Sequence, residues 1–553
     1  MSNYLTNNDS ERPAAPKRRR KLWLASGVAG LTGVVSLAAV GVATGAGAVG
    51  ADGLKWATAQ VSMDGDQDAD REKEGREGEE GREGGEGRDR DHKDRDHKDR
   101  GKEVPCDSDK LIQAIVHANA NHGGVFELAK DCTYTLTRHD YYGNGLPVIE
   151  QPITLKGHDT KIVRDATAEQ FRIFNVGSGG HLTLKGLTIK NGQTLERKLA
   201  EPVSAETVWS RYSNSVEATE AAKAGKPYLP LLQAEPKGAA AAKAAAAKAA
   251  AAKAGAAVLE EPEANDGGGI LVQPGGSADI EKSHIVENQA GGSGGGIANF
   301  GKTSLRHTTV ADNTAFFFGG GILNAGVLKV EESHVKYNKA GIGGGGIANG
   351  APGIFRDDVD GGTVWIDKTD ISNNHTIGFG GGLLDIEGNT TIKYSRILDN
   401  TALIAGGGIA AADDSQLHLH KVTIAKNTTA GVGGGLALAF GAHVTAEKTE
   451  VKENFAAFFG GGVFNLASEV TFRDSEIVGN QAVGPIGIGG GIFNVFGRVN
   501  LHDTKVADNV SRFRPGGVFN FGGEVNVDDK SAIKGNKPTN CLGSPSPVEN
   551  CFG

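Results

Sequence analysis

The second half of the chain repeats one pattern of apolar and polar positions. Ten coils of about 26 residues each carry a β-branched residue with a mostly polar residue before it and a Ser or Thr, once Val, two residues before it. Such alternation with period two is typical of a β-strand that buries one face. An asparagine follows each β-branched residue by three positions, and these asparagines are Asn288, Asn313, Asn338, Asn374, Asn400, Asn427, Asn454, Asn480, Asn509 and Asn536.

A second motif keeps the same phase. A glycine-rich run followed by an aliphatic residue recurs ten times, from Ile270 to Val518. Only stacked coils place equivalent residues of every repeat in line, and each coil then fills the open strand edges of its neighbours. Ten aligned asparagines are expected to pass side-chain amide hydrogen bonds along the stack.

These patterns predict an all-β fold, a right-handed single-stranded parallel β-helix. The right hand follows from the general rule for parallel crossovers. Leucine-rich and ankyrin repeats are excluded because their consensus leucines and helices are missing, and a β-propeller needs blades of about 40–45 residues.

The first coils need a cap, because an open solenoid end exposes apolar side chains and unpaired strand edges. Asp107-Ser108-Asp109 offers an N-cap, and helical apolar spacing follows it, which predicts a capping helix over 109–120. Short strand-like runs follow over 125–192.

The N-terminal 59 residues predict export. A basic run over 17–21 precedes an uncharged stretch over 22–51, and Ala57-Thr58-Ala59 offers a cleavage site. A cleaved signal is favoured, while a retained membrane anchor stays open because the stretch is long enough to span a bilayer. Residues 60–103 are rich in charged residues and glycine, which predicts a disordered linker.

A segment over 193–265 interrupts the repeats. Ala239 to Ala257 is almost entirely alanine with a lysine at every fifth position, which predicts a helical insertion. The predicted organisation is 1–59 signal or anchor, 60–103 linker, 104–192 cap and first coils, 193–265 insertion, 266–540 repeats and 541–553 tail.

The four cysteines, Cys106, Cys132, Cys541 and Cys551, lie in pairs at the two ends of the folded body. Three pairings are formally possible. The local pairing, 106–132 and 541–551, closes short loops and is the one expected in an oxidising compartment.

The paired GGGI and x-x-x-N signatures resemble those of chlamydial polymorphic outer-membrane proteins and of secreted β-helix repeat proteins with a pectin-lyase-like fold. The segment from Cys132 to Thr137 and the tail from Asn536 to Cys541 are similar to the ends of actinobacterial members of that group. The resemblance implies a pectin-lyase-like fold, and proteins of related folds include polysaccharide lyases and glycoside hydrolases.

Those activities need paired carboxylates, or an acidic Ca²⁺ cluster with a base. The only group that combines acidity, a base and an irregular loop is Arg356, Asp357, Asp358 and Asp360. Ca²⁺ there is the one cofactor considered, and otherwise no cofactor and no metal are expected. Asp385 replaces an asparagine of six other coils, so it is interpreted as a turn residue first. His418, His420 and His443 are weak metal candidates.

A stacked edge of aromatic residues is the other candidate surface. Variable loops before each glycine run carry Phe316, Phe317, Phe318, Phe379, Phe458, Phe459 and Phe513. These residues either fill a corner of the core or form a binding strip for a glycan or a protein.

The net charge of −9 gives no case for nucleic-acid binding. The favoured function is a non-catalytic secreted or cell-surface interaction protein. Its expected partner is a cell-wall or extracellular polysaccharide or a surface protein, and membrane contact is expected only through the N-terminal segment. A polysaccharide lyase or glycoside hydrolase and a purely structural envelope component remain as alternatives.

Overall fold

A computed structural model describes residues 101–194, 265–351 and 359–553. These residues wind into a right-handed parallel β-helix, as predicted, whose strands form three parallel sheets of 25, 11 and 9 strands. We name them sheets 1, 2 and 3 in that order.

Sheet 1 contains a row of long strands and a row of short strands. The long strands are Lys102–Val104, Gly124–Leu128, Pro152–Arg164, His181–Lys190, Ser277–Glu281, Lys302–Arg306, Val327–Glu331, Thr363–Asp367, Asn389–Lys393, Gln416–His420, His443–Glu447, Glu469–Arg473, Arg498–His502 and Glu524–Val527. The short strands are Thr133–Leu136, His284–Val286, Thr309–Ala311, His334–Lys336, Asp370–Ser372, Arg396–Leu398, Thr423–Ala425, Glu450–Lys452, Glu476–Val478, Lys505–Ala507 and Ala532–Lys534.

The other two sheets consist of shorter strands. Sheet 2 contains Phe174–Val176, Ile270–Val272, Ile297–Asn299, Ile322–Asn324, Ile347–Asn349, Leu383–Ile386, Ile409–Ala412, Leu436–Ala439, Val463–Leu466, Ile492–Val495 and Val518–Phe521. Sheet 3 contains Gln289–Ala290, Thr314–Ala315, Lys339–Ala340, His375–Thr376, Thr401–Ala402, Thr428–Thr429, Phe455–Ala456, Gln481–Ala482 and Val510–Ser511.

One coil runs from a sheet 2 strand to a long and then a short strand of sheet 1, and finally to sheet 3. Equivalent residues of successive coils pair directly, as Val310 does with Ile285 and Val335. The predicted β-branched row is buried throughout, and Val310 has no exposed surface. Stacking therefore turns one residue per coil into a continuous apolar column inside the solenoid.

The asparagine row forms an unbroken ladder at the corner between the short strands and sheet 3. In each of the first nine residues the Nδ2 group and the backbone N–H donate to the Oδ1 of the next rung, at 2.9–3.0 Å from Asn288 to Asn536. Each Nδ2 also donates to a backbone carbonyl, such as that of Ile397 for Asn427. The ladder thus satisfies polar groups that no water reaches.

The ladder continues one step beyond Asn536. Asn540 accepts from both the backbone N–H and the Nδ2 of Asn536 at 3.1 and 3.0 Å, and its own Nδ2 donates to the carbonyl of Phe552. At the other end the backbone N–H of Gly192 donates to Asn288. Asn536 is therefore an internal rung, and Asn540 closes the stack.

A second ladder lies at the turn between sheet 2 and sheet 1. It links Asn299, Asn324, Asn349 and Asp385 in successive coils, and resumes with Asn465, Asn494 and Asn520. Ala411 and Leu438 occupy the two intervening coils. The second ladder is therefore interrupted in the middle of the solenoid.

The N-terminal end carries the predicted helix, α1, over Ser108–Ala120. The Asp107 side chain caps it by accepting from the N–H groups of Asp109 and Lys110. Leu111 and Ile115 are fully buried against the first coils. A strand at Lys102–Val104 precedes it.

Two disulfides join Cys106 to Cys132 and Cys541 to Cys551. The local pairing predicted from the loop lengths is thereby confirmed. Disulfides persist in oxidising compartments, so the pair indicates an oxidising, extracellular environment.

Several predictions concern residues outside the described part of the chain. They are the export segment over 1–59, the linker as far as residue 100, the insertion over 195–264, and the loop over 352–358 with Arg356, Asp357 and Asp358. Within the described residues, no helix has the length and apolar character that crossing a bilayer requires.

Candidate functional site

The aromatic loops divide into buried and exposed residues. Phe318, Phe379 and Phe459 are only 3%, 8% and 8% exposed, because each loop folds back over the outer face of sheet 2. Phe317 and Phe458 are partly buried against the same cluster. Three of the seven residues of the predicted strip are therefore core, and two more are partly covered by it.

This second core explains why sheet 2 is apolar on both faces. The outward residues Phe464 and Phe493 are buried there, and the rings of Phe493 and Phe519 stack with centroids 4.4 Å apart. Phe316 and Phe513 remain 44% and 50% exposed at the outer end of their loops. They lie in coils far apart along the solenoid, so they do not form a continuous strip.

The long strands of sheet 1 present a regular exposed surface along the described coils. Their alternation buries the second and fourth residues and turns the first, third and fifth outward. We call the third residues the central row, and from the first repeat to the last they are Asp279, Ser304, Lys329, Trp365, Thr391, His418, Thr445, Thr471, Asn500 and Asn526.

Trp365 is the one large aromatic residue of the central row. It lies between Lys329 and Thr391 in the register of the sheet, and 46% of it is exposed. Val364 and Ile366 on either side of it are buried. Trp365 was not among the predicted binding residues, which all lie in loops, although the alternation of its strand in the sequence already places it on the outer face.

From Trp365 onward the central row bears hydroxyl, amide and imidazole groups and no carboxylate, lysine or arginine. At its C-terminal end these groups bond to one another across coils. Asn526 Nδ2 donates to Asn500 Oδ1 at 2.8 Å, and Asn500 Nδ2 donates to Thr471 Oγ1 at 3.1 Å. The row is thus a pre-ordered line of hydrogen-bonding groups spaced by one strand, about 4.8 Å.

Several charged residues beside the central row form ion pairs across coils. Arg498 Nε contacts Glu524 at 2.9 Å, and Arg306 contacts Glu331 at 3.1 Å. The pKa of Glu331 is lowered, first by the hydrogen bond from Lys329. A carboxylate held ionised in this way accepts hydrogen bonds but does not serve as a general acid near neutral pH.

The remaining catalytic and metal candidates do not converge. Asp360 is exposed, and its three predicted partners lie outside the described residues. His420 faces Glu447 at 3.5 Å, whereas His443 faces Glu469 at 3.7 Å and pairs in register with Gln416. Within the described coils no three His, Cys, Asp or Glu residues are close enough together to hold a metal ion.

Comparisons with known proteins agree with the fold. A family model described as the right handed beta helix region matches residues 328–511. No curated protein matches the sequence. The residues that the structure describes form a right-handed parallel β-helix with one helix at its N-terminal end and two disulfides.

Two solved structures are similar to this chain. One is the A-module of the mannuronan C-5 epimerase AlgE6 from Azotobacter vinelandii, with 12% identity and a TM-score of 0.39, covering 77% of this chain and 95% of that chain. The other is a family 28 exopolygalacturonase from Yersinia enterocolitica, with 10% identity and a TM-score of 0.36, covering 78% and 79%. At such identities the likeness concerns the fold alone.

Proposed function

We propose that this protein is an exported, non-catalytic interaction protein that binds a neutral extracellular glycan along the central row of sheet 1. The observation that carries the proposal is the half-exposed Trp365 at the head of a row of uncharged hydrogen-bonding side chains. The two disulfides support export.

The chemistry of the row suits a sugar polymer. A sugar ring carries C–H groups on its faces and hydroxyls around its rim. An aromatic ring packs against the faces, while hydroxyl and amide groups such as those of Thr391 and Asn500 exchange hydrogen bonds with the rim. A pyranose unit is about as long as one strand spacing, so successive sugars of an extended chain would meet successive coils.

The charges beside the row favour binding over turnover. Glu331 and Glu469 contact arginines of adjacent coils, and the hydrogen bond from Lys329 lowers the pKa of Glu331. Paired carboxylates with separated protonation states are what a glycoside hydrolase requires. The partner expected from this surface is therefore a neutral rather than a polyanionic glycan.

The test is affinity electrophoresis of the full chain in gels that contain neutral or anionic polysaccharides, followed by calorimetry with any glycan that retards it. Trp365→Ala is expected to raise the Kd at least tenfold, about 1.4 kcal/mol, because it removes the stacking surface. Phe513→Ala is the matched control, an equally exposed aromatic residue away from sheet 1, and it is expected to leave the Kd unchanged.

Three results would contradict the proposal. Equal losses in Trp365→Ala and Phe513→Ala would place binding elsewhere. Retardation by no polysaccharide would leave a protein partner or a structural role. Release of unsaturated products or new reducing ends would mean that the protein is a lyase or a hydrolase.

A further inference from the structure

Asp385 occupies the position of an asparagine in the second ladder. It pairs in register with Asn349 of the preceding coil and with Ala411 of the following one. Asn349 Nδ2 donates to Asp385 Oδ1 at 3.1 Å, so this oxygen does what the Oδ1 of an asparagine does in the other coils. Asp385 itself has no exposed surface.

The second side-chain atom is where aspartate and asparagine differ. In the asparagine rungs Nδ2 donates to a backbone carbonyl at the turn, at 2.9–3.2 Å; the acceptors are Val327, Gly326, Gly362, Ser468, Gly497 and Gly523. In Asp385 an oxygen, Oδ2, replaces this donor, and it has no hydrogen-bond partner. The corner is built for a donor, and an ionised carboxylate has none.

The surroundings give an ionised carboxylate no counter-charge. Along the ladder its neighbours are Asn349 and Ala411, and Thr390 and the turn at Gly388 offer only neutral hydrogen bonds. Glu387 lies at the same turn, and Asp413 and Asp414 follow the paired strand Ile409–Ala412 of the next coil; all three are acidic. Burial is the main reason that the pKa of Asp385 is raised to about 7, against the lowering effect of the bonds from Thr390, Asn349 and Gly388.

We infer that the folded protein holds Asp385 as a neutral carboxylic acid, whose O–H replaces the missing N–H. Ionisation of this residue then makes the stability of the middle of the solenoid depend on pH. Asp385 lies where the second ladder is already interrupted. Beyond it, Ala411 and Leu438 supply no side-chain donor, and the Oδ1 of Asn465 is also without a partner. Ionisation would place a negative charge at the least bonded part of that corner.

The sign of the pH dependence follows from linkage. An unfolded aspartate titrates near pH 3.9. Between about pH 4 and about pH 7 the folded protein keeps a proton that the unfolded chain has released, so stability falls as the pH rises through this window. Below the window both states are protonated and above it both are ionised, so the contribution of Asp385 no longer changes.

The experiment compares the full chain with its Asp385→Asn variant in urea unfolding from pH 4 to pH 9. Asparagine is the residue of six other coils, so this variant repairs the rung and removes the proton together. The unfolding equilibrium constant of the parent, divided by that of the variant, is expected to rise roughly tenfold per pH unit from about pH 4 to about pH 7 and then to level off. Asp399→Asn is the control, because it removes an exposed carboxyl from the same coil, and its ratio is expected to stay flat by comparison.

Infrared difference spectroscopy gives a readout that does not depend on unfolding. The parent at pH 6 is expected to show the carbonyl stretch of a buried carboxylic acid, which disappears on raising the pH to 9 and is missing from Asp385→Asn. A ratio for Asp385→Asn as flat as that of the control, or a parent without this band at pH 6, would overturn the inference.

Discussion

Removal of one asparagine from the middle of the first ladder should cost far more than removal of its last rung. Asn427 Oδ1 accepts from the backbone N–H and the Nδ2 of Asn400, both at 3.0 Å. Asn427 Nδ2 donates to the Ile397 carbonyl at 2.9 Å and to Asn454 Oδ1 at 3.0 Å. Asn427→Ala therefore removes four hydrogen bonds from a residue with no exposed surface.

The neighbouring groups that lose a hydrogen bond to Asn427 are affected unequally. Asn400 Nδ2 keeps its bond to Ile371, and Asn454 Oδ1 keeps the bond from the backbone N–H of residue 427. The backbone N–H of Asn400 is left with no acceptor and no water, which costs about 1–3 kcal/mol. When the loss of the other three hydrogen bonds of Asn427 is added, the expected decrease in the free energy of unfolding is about 3 kcal/mol.

Asn540→Ala is the matched comparison. Asn540 accepts the last hydrogen bond of the ladder, from Asn536, but it is partly exposed, so water can replace its side chain. The expected cost is about 1 kcal/mol or less. Both variants would be unfolded in urea in parallel with the parent and followed by circular dichroism. Equal midpoints for the two variants would refute a continuous ladder whose interior rungs are the stronger ones.

Two further predictions concern the loops and the insertion. Phe318→Ala, at 3% exposure, should destabilise the protein by about 3 kcal/mol or more, whereas Phe316→Ala, at 44% exposure, should cost less than about 1 kcal/mol; similar losses would mean that the loop core is not a packed unit. Replacing residues 195–264 by a short Gly-Ser bridge should preserve the fold, because the flanking residues already meet where Thr194 Oγ1 donates to the Asn265 carbonyl at 2.6 Å. That deletion should keep the strand signal in circular dichroism and a cooperative transition, and aggregation of the shortened chain would show that the insertion belongs to the core.

The sequence alone determined the solenoid and its polar corners. A residue such as Val310 recurs in every coil with a mostly polar neighbour before it and an asparagine three positions later. Only stacking of coils brings these equivalent residues into contact. The cysteine pairing was also readable, because Cys106–Cys132 and Cys541–Cys551 each close a short loop. These features are local or periodic, so they appear directly in the order of the residues.

The tertiary structure decided the burial and the partners of residues that the repeat pattern does not cover. Strand alternation tells which side chains point outward, but it does not tell whether a loop later covers them. The sequence therefore left open whether Phe318 and Phe459 fill a corner of the core or form an exposed strip, and the structure shows that they are core. The role of Asn540 was hidden for a similar reason, because it lies four residues after Asn536 instead of one coil later and reaches the ladder only through the path of the tail. Asp385 was recognised as an exception to the asparagine pattern, yet its full burial and its unpartnered oxygen depend on the coils above and below it. Periodicity fixes which residues stack, whereas the course of the loops fixes which of them meet solvent.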